Sequence, residues 1–259
     1  MGTSGGGYSF YQDGGQDTGM FSDGDGEVVF YGNAQELVRI SANNNRIDTR
    51  AAIYLKYGAA LRDFNTNAIA FGLNAADDES QGDDAIAFGS SAGRTSQGQA
   101  AIAIGRQAGN YQQGQHAVAI GRRAGNNSQS ISAIAIGEDA GNSSQSFSAV
   151  AVGRWAGETN QGWASVAVGR IAGRNNQGNY AVAMGYHAGE TSQGYNTVAI
   201  GNYAGNNSQT GDSIAIGHYT QQNGNGWGAI AIGRYAGRNN QNSQAIAIGN
   251  NAGNYGQGY

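Results

Sequence analysis

The chain has 259 residues, of which 45 are Gly, and it contains no Pro, no Cys and a single Lys. The missing Pro and the lack of a strict Gly-X-Y period exclude collagen, and the missing Cys excludes a disulfide scaffold and a thiolate metal site. Net charge is −4 and divides unevenly, with thirteen acids and five bases in residues 1–84 but five acids and nine arginines in residues 85–259. Because Gly loses much backbone entropy on folding, this composition favours a regular, repeated scheme of backbone pairing.

Residues 1–66 form the first predicted unit, a small β module. Its start lacks the basic and apolar regions of a signal peptide, and no apolar run in the chain reaches the ~18 residues of a membrane span, so we expect no secretion by that route and no membrane insertion. Alternation and turn residues predict strands at 27–31 and 37–41 around a Gly-Asn turn. A polar connector at 42–50 and a short apolar stretch at 51–55 follow.

Several short motifs in this module carry a resemblance. In chain order they are Tyr8-Ser9-Phe10, Asp17-Thr18-Gly19-Met20-Phe21-Ser22, Asp25-Gly26, Val28-Val29-Phe30, Gly32-Asn33 and Arg39-Ile40. Their order and spacing resemble a small β module of tailed-phage fibre proteins. The resemblance implies a trimeric collar that attaches a fibre to other virion tail proteins.

Residues 67–259 are a second unit built from an internal repeat. Its core is Ala-Ile-Ala-Ile-Gly or a close variant, followed by Ala, Gly and Gln three, four and eight residues after the final glycine. The first spacing is 17 residues and every later one is 16. The twelve copies end at Gly72, Gly89, Gly105, Gly121, Gly137, Gly153, Gly169, Gly185, Gly201, Gly217, Gly233 and Gly249.

The repeat predicts an all-β fold. Its apolar residues alternate with period 2 between turn-forming stretches, which indicates short strands rather than helices. A fixed 16-residue unit with one such strand, a second short segment near the Ala-Gly pair and polar turns is typical of a parallel β-solenoid, here of about twelve coils. Identical columns then stack, so the Gln amides should form a hydrogen-bonded ladder along the rod.

Both faces of the alternating strand are apolar. We expect Ile102 and Ile104 to fill the coil interior and Ala101 and Ala103 to point outward. The core of each chain is then thin, and an uncovered Ala face favours association. Three chains packed through these faces about one axis would form a homotrimer; the alternative is a monomeric roll with an Ala-covered flank.

The repeat also carries a family resemblance. Ala-Ile-Ala-Ile-Gly-x-x-Ala-Gly-x-x-x-Gln-Gly, over residues 68–259, resembles the head repeat of YadA-type trimeric adhesins. That resemblance implies a trimeric, left-handed parallel β-roll and a role in attachment to surfaces.

No motif supports catalysis. The three histidines occupy three different columns of the repeat, and no phosphate-binding loop is present, so we expect no enzyme, no metal and no cofactor. The acids Asp77, Asp78, Glu79, Asp83 and Asp84 coincide with the 17-residue spacing; they are interpreted as a solvated cap, with calcium binding as the alternative.

Binding residues are expected among the variable columns, where aromatic and arginine side chains concentrate. Exposed Trp and Tyr on a rigid rod suit sugar rings, and stacked arginines suit an anionic polysaccharide. The alternatives are aromatic packing between coils or in a trimer interface, and ion pairs of Arg with Glu138, Glu158 and Glu190. Nucleic acid is not expected, because +4 over residues 85–259 is a weak charge for following a phosphate backbone. The candidate glycan-binding residues are Trp155, Trp163, Tyr203, Tyr219, Trp227, Tyr235, Arg106, Arg122, Arg154 and Arg170.

One coil breaks the pattern. After Gly217, Thr220 and Gln221 replace the Ala-Gly pair, and Asn225 replaces Gln. Departures from a strict rule mark functional or strained places, so this coil is a local site candidate, with sequence drift as an equal account.

Taken together, the sequence predicts a tail fibre of a phage virion that attaches non-catalytically to host surface glycans. The alternatives are a bacterial YadA-like cell-surface adhesin and a purely structural fibre spacer. An ice-binding solenoid is less favoured because Thr is scattered.

Overall fold

The protein is seen in a computed structural model. It describes the backbone of the strands between residues 8 and 64, and both backbone and side chains of residues 67–77 and 81–255, apart from the side chain of Asn225. All regular elements within these residues are β-strands. The strands before the repeat are β1 Tyr8–Ser9, β2 Gly19–Ser22, β3 Glu27–Gly32, β4 Gln35–Ser41, β5 Arg46–Thr49, β6 Ile53–Leu55 and β7 Ala59–Phe64.

Strands β1 to β5 form a five-stranded antiparallel sheet in which each strand pairs with the next along the chain. The strands predicted at 27–31 and 37–41 correspond to β3 and β4. The connector expected at 42–50 is wrong in part, because it contains β5, which pairs with β4 through Ile40 opposite Ile47 and Arg39 opposite Asp48. A short polar strand of this kind has no apolar alternation by which the sequence could reveal it.

The repeat forms the predicted parallel β-solenoid, with about eleven coils of 16 residues. Most coils contribute two three-residue strands, one from the alternating segment and one that ends on the Gln column. The second strand therefore follows the Ala-Gly pair, which itself lies in a turn. The strands are β8 Ala68–Phe71, β9 Ile86–Phe88, β10 Thr95–Gln97, β11 Ile102–Ile104, β12 Tyr111–Gln113, β13 Val118–Ile120, β14 Asn127–Gln129, β15 Ile134–Ile136, β16 Ser143–Gln145, β17 Val150–Val152, β18 Thr159–Gln161, β19 Val166–Val168, β20 Asn175–Gln177, β21 Val182–Met184, β22 Thr191–Gln193, β23 Val198–Ile200, β24 Ile214–Ile216, β25 Asn223–Asn225, β26 Ile230–Ile232, β27 Asn239–Gln241 and β28 Ile246–Ile248.

The alternating segments build a 14-stranded sheet, called here the main sheet. Its twelve strands from β8 to β28 are parallel, and β7 and β6 continue it antiparallel at one end. Parallel neighbours are in strict register, as where Ile102, Ala103 and Ile104 lie opposite Val118, Ala119 and Ile120. The second sheet consists of the seven strands β10 to β22 in alternate order, and β25 and β27 form a separate pair.

The prediction about the two faces of the main sheet is wrong, because alanines fill the interior and the large residues point outward. Ala101 and Ala103 are fully buried, whereas Ile102 is half-buried and Ile104 is 38 % exposed. The same pattern holds along the main sheet. Buried alanines from the main sheet and from the Ala-Gly turns form one cluster between Ala70 and Ala183 and a smaller one of Ala231, Ala236 and Ala247. A 16-residue coil encloses too narrow a space for two Ile per turn once the Gln side chains also enter it.

The predicted Gln ladder is present, and it lies inside the coil. Gln129 Nε2 donates to Gln145 Oε1 at 3.0 Å, and Gln145 Nε2 donates to Gln161 Oε1 at 3.0 Å. Each amide also satisfies backbone carbonyls of its own coil, as when Gln145 Nε2 donates to the carbonyls of Ile134 at 2.8 Å and Ala149 at 3.2 Å. A buried polar residue is therefore a regular part of this core, and most of its hydrogen bonds are made. The exceptions in this column are the Oε1 atoms of Gln81, Gln113 and Gln193, which are buried without a partner among the described residues.

Two glycine columns are required by contact as well as by conformation. A Cβ built on Gly105 (φ 123°) would lie 2.8 Å from the carbonyl oxygen of Gly121 in the next coil. A Cβ on Gly141 (φ 50°) would lie 2.7 Å from Gln145 Oε1. The first column lets neighbouring backbones approach at the corner, and the second makes room for the Gln ladder.

Candidate functional site

The six aromatic residues among the predicted binding residues fall into two separate groups. Trp155, Tyr203, Tyr219 and Tyr235 occupy the column two residues after the repeat glycine, where the main sheet ends and the chain turns. Trp163 and Trp227 lie instead on loops that lead back into the main sheet. No contact between the two groups occurs among the described residues.

Four aromatic rings at this corner form a stack, called here the corner ladder. His187, Tyr203, Tyr219 and Tyr235 belong to four consecutive coils, and their successive ring centroids are 4.7, 4.9 and 5.7 Å apart with interplanar angles of 4°, 8° and 14°. Both faces of Tyr203 and of Tyr219 are consequently covered by neighbouring rings. Here the alternative of packing between adjacent coils describes what is observed; the role of these residues in binding stays a prediction.

Trp155 is surrounded by guanidinium groups. The Cζ atoms of Arg154, Arg174 and Arg170 lie 3.7, 5.5 and 5.8 Å from its ring centroid. Arg154 also lies 3.3 Å from Glu138, and Arg174 Nε donates to Glu158 Oε2 at 2.6 Å. The indole is therefore held by cation–π contacts, and two of the three cations, Arg154 and Arg174, are themselves paired with carboxylates.

The arginine column is only partly paired with acids. Arg122 donates to Glu138, which lowers the pKa of that carboxyl and raises the pKa of the Arg122 guanidinium. Arg170 Nη1 donates to the Tyr186 hydroxyl at 3.4 Å, and Arg106 is exposed. Of the three acids expected to pair with arginines, Glu138 and Glu158 do so.

Glu190 has other partners. Its Oε2 lies 2.6 Å from His187 Nδ1 and accepts from Asn206 Nδ2 at 2.8 Å. It thereby fixes the histidine at one end of the corner ladder.

Aromatic side chains on the loops form a patch and a pair. Phe147, Trp163 and Tyr180, called here the loop patch, have successive ring centroids 6.3 and 5.6 Å apart. Tyr195 and Trp227 form the pair, in which Trp227 Nε1 donates to the Tyr195 hydroxyl at 3.3 Å. Sequence reasoning missed Tyr180, because it stands one position later in its coil than Phe147 and Trp163; the neighbouring loop column could have revealed it.

The irregular coil is compensated internally. Gln221 occupies the glycine position of its coil, is fully buried, and donates from Nε2 to Gln241 Oε1 at 2.9 Å. Gln209 belongs to the Gln ladder in the preceding coil, and Gln221 continues the ladder from a different position of the repeat. Thr220 Oγ1 donates to the carbonyl of Gly233 at 2.7 Å, so the second irregular residue is satisfied as well. This geometry accounts for the departures by packing, and a binding role for the coil stays a prediction.

The acidic insertion lies partly outside the described residues, because 78–80 are not included. Asp77 lies 3.8 Å from Arg94. Within residues 67–77 and 81–255, no group of three or more His, Asp or Glu side chains is arranged to hold a metal ion. The described part of the chain also holds no helix of the length and apolarity that a membrane crossing needs.

Comparison with known proteins gave no match: no protein-family model, no curated protein and no solved structure is similar to the chain. The fold is thus established by the structure itself.

Proposed function

We propose that the chain is a fibre protein of a phage virion, assembled as a homotrimer, that attaches to host surface glycans without catalysis. Residues 1–66 would join the fibre to other tail proteins, as their resemblance to a fibre module implies. The repeat would supply a rigid rod that presents its variable columns to the host. The observation that carries this proposal is the outward apolar face of the main sheet.

That face consists of two columns of large apolar side chains, called here the outer columns. One contains Ile102 and the other contains Ile104, and each extends over all twelve parallel strands with Ile, Val, Phe or Met at every position. With strands ~4.8 Å apart and three residues long, the face measures roughly 500 Å² in outline. A patch of this size is comparable with the largest apolar patch that soluble monomers expose, and such patches are often functional.

The occupant that best fits the outer columns is further copies of the same chain. Identical coils have the same rise, so the residues of one copy meet those of another with a constant offset along the whole rod. Half-buried Ile and Val then exchange water for apolar contact at ~25 cal/mol per Å². The resemblance to trimeric heads sets the number at three, with the outer columns rather than the alanines at the axis.

Attachment is supported by the exposed aromatic rings outside the main sheet. Trp163, Trp227 and Tyr195 are each about half exposed and lie on loops rather than on the strands that carry the outer columns. Aromatic rings offer apolar faces to the C–H faces of sugars, and the Asn, Gln and Ser residues of the neighbouring turns offer hydrogen bonds to hydroxyl groups.

Binding is tested by adsorption of the purified full chain to a panel of bacterial cells and to a glycan array. We expect retention on a subset of glycans and its loss when Trp155, Trp163 and Trp227 are all changed to Ala. The control is Tyr111→Ala, which removes an exposed ring that contacts neither aromatic group. Unchanged binding in the triple variant would contradict the aromatic site, and no binding by the unmodified chain would favour a structural spacer.

Location is tested by electron microscopy with gold-labelled antibodies against the chain. We expect label on the tail fibres of phage particles in a lysate. Label confined to the surface of intact bacteria would instead favour the cell-surface adhesin.

A further inference from the structure

The loop patch of Phe147, Trp163 and Tyr180 differs from every other aromatic group in the described residues by exposing its rings in three consecutive coils. The three side chains are 45, 47 and 51 % exposed. Their mutual contacts are edge-on or tilted, with interplanar angles of 70° and 44°, so no ring lies flat against another. Ring faces therefore remain available to a ligand.

The aromatic residues at the corner do not have free ring faces. Tyr203 and Tyr219 lie parallel between neighbouring rings, and Trp155 has a guanidinium 3.7 Å from its centroid. Their faces are already used by contacts within the protein, and what they can offer a ligand is ring edges and hydroxyl groups. Stacking on a sugar requires a free face, which separates the two groups.

The strands and loops that bear the loop patch contain no charged residue. Residues 143–148, 159–164 and 175–180 are the strands and loops that bear the three rings, and they contain no Asp, Glu, Lys, Arg or His. Their polar groups are amides and hydroxyls, such as the exposed pair in which Asn160 Nδ2 donates to Asn176 Oδ1 at 3.0 Å. By contrast, the Tyr195–Trp227 pair has Asp212 beside it, whose backbone N–H donates to the Tyr195 carbonyl at 3.0 Å.

From these contacts we infer that the loop patch binds an uncharged glycan chain that lies along the rod. The apolar C–H face of a sugar ring stacks on Trp163, and Phe147 and Tyr180 contact the sugars before and after it. Coils rise by ~4.8 Å each, so the three rings follow the rod axis and select an extended chain rather than a single sugar. A patch with no charge gives an acidic glycan no advantage. The inference rests on the proposed attachment function and specifies its ligand.

The test is affinity electrophoresis of the full chain through gels that contain one polysaccharide each. The panel comprises uncharged polymers (dextran, mannan, galactan and a β-glucan) and acidic ones (polygalacturonate, alginate and hyaluronate). We expect retardation by at least one uncharged polymer, unchanged between about 50 mM and about 500 mM salt because no ion pair is involved. Trp163→Ala should weaken that binding at least tenfold, and Phe147→Ala should weaken it less.

Two controls separate stacking from general damage. Trp163→Phe retains a ring face and should keep most of the binding, whereas Tyr111→Ala, at an exposed ring outside the loop patch, should leave it unchanged. The melting temperature and the mass from light scattering should be the same for Trp163→Ala as for the unmodified chain.

Several results would overturn the inference. Binding only to acidic polymers, binding that high salt abolishes, unchanged binding in Trp163→Ala, or loss of assembly in that variant would each do so. If the chain adsorbs to bacterial cells but no uncharged polymer retards it, the inference fails and the attachment function stands; if it also adsorbs to no cell, both fail.

Discussion

Left-handed backbone conformations are frequent at non-glycine residues of the solenoid, and several of these residues are bulky. Trp155, Tyr203, Tyr219 and Tyr235 have φ between 53° and 58°. A non-glycine residue in this region costs roughly 1–2 kcal/mol, and a stacked aromatic pair returns roughly 0.5–1.5 kcal/mol. At Tyr203, Tyr219 and Tyr235, the stacked ring contacts thus offset backbone strain that Gly or Asn would reduce, and at Trp155 cation–π contacts take that place.

The first prediction concerns the glycine that faces the Gln ladder. Gly141→Ala should lower the free energy of unfolding by about 3 kcal/mol, because the new Cβ adds a close contact with Gln145 Oε1 to the cost of left-handed backbone. Gly224→Ala is the matched control, since Gly224 has nearly the same φ of 53° but its Cβ would meet nothing closer than 3.8 Å. The control should lose only about 1 kcal/mol. Equal losses in denaturant titrations would show that conformation alone requires Gly141.

The second prediction concerns pH. The pKa of Glu138 is lowered from 4.5, mainly by its hydrogen bond from Arg122. A carboxyl whose pKa is lower in the folded state stabilises the fold above its unfolded pKa, and this stabilisation is lost as pH falls through the folded pKa. Glu138→Gln should therefore have a lower melting temperature than the unmodified chain at neutral pH, with the difference shrinking as pH falls below 4.5. High salt should reduce it as well, and a difference that stays constant with pH would argue against the ion pair.

At the scale of the element, the residue at the glycine position of each coil and the residue at the Gln position depend on each other. A glycine at the Ala-Gly turn accompanies Gln four residues later, because a side chain at the glycine position would occupy the space that the Gln side chain fills. The irregular coil exchanges both, with Gln221 in the glycine position and Asn225 in the Gln position. Gln221 joins the ladder through Gln241.

The third prediction tests this exchange. Asn225→Gln alone should lower the melting temperature, because a second Gln would compete with Gln221 for the same interior space. Adding Gln221→Gly restores the arrangement of the regular coils and should recover most of the loss. Additive effects of the two substitutions in a double-mutant cycle would contradict the shared space.

How much of each element the sequence predicted depends on how strong its pattern is. The main-sheet strands and the Gln ladder follow from a strict period and were predicted correctly. Strand β5 was not, because Arg46–Thr49 is polar and is held by pairing with β4 rather than by its own pattern. Tyr180 was missed because the aromatic residues were grouped by repeat position. It stands one position later than Trp163, but the two rings are in contact.

For the whole molecule, the outer columns lead to the fourth prediction. Ile136 lies on the outward face, 37 % exposed, at mid-length of the rod. In a trimer, Ile136→Glu would bury a charge at the axis, so light scattering should show a mass near that of one 26.6 kDa chain instead of three. Gln115→Glu places the same charge on an exposed loop and should leave the assembly intact. A single-chain mass for the unmodified protein would contradict the trimer directly.

The sequence alone determined the period, the parallel stacking of coils, the glycine corners and the amide ladder, because each depends on identical residues recurring at a fixed interval. It could not determine which side of the main sheet is inside. Ala-Ile-Ala-Ile is apolar on both faces, so the alternation does not show which face is buried. The tertiary structure decided it, because the interior of the closed 16-residue coil is filled by small residues, mainly Ala, together with one Gln side chain, which turns Ile and Val outward.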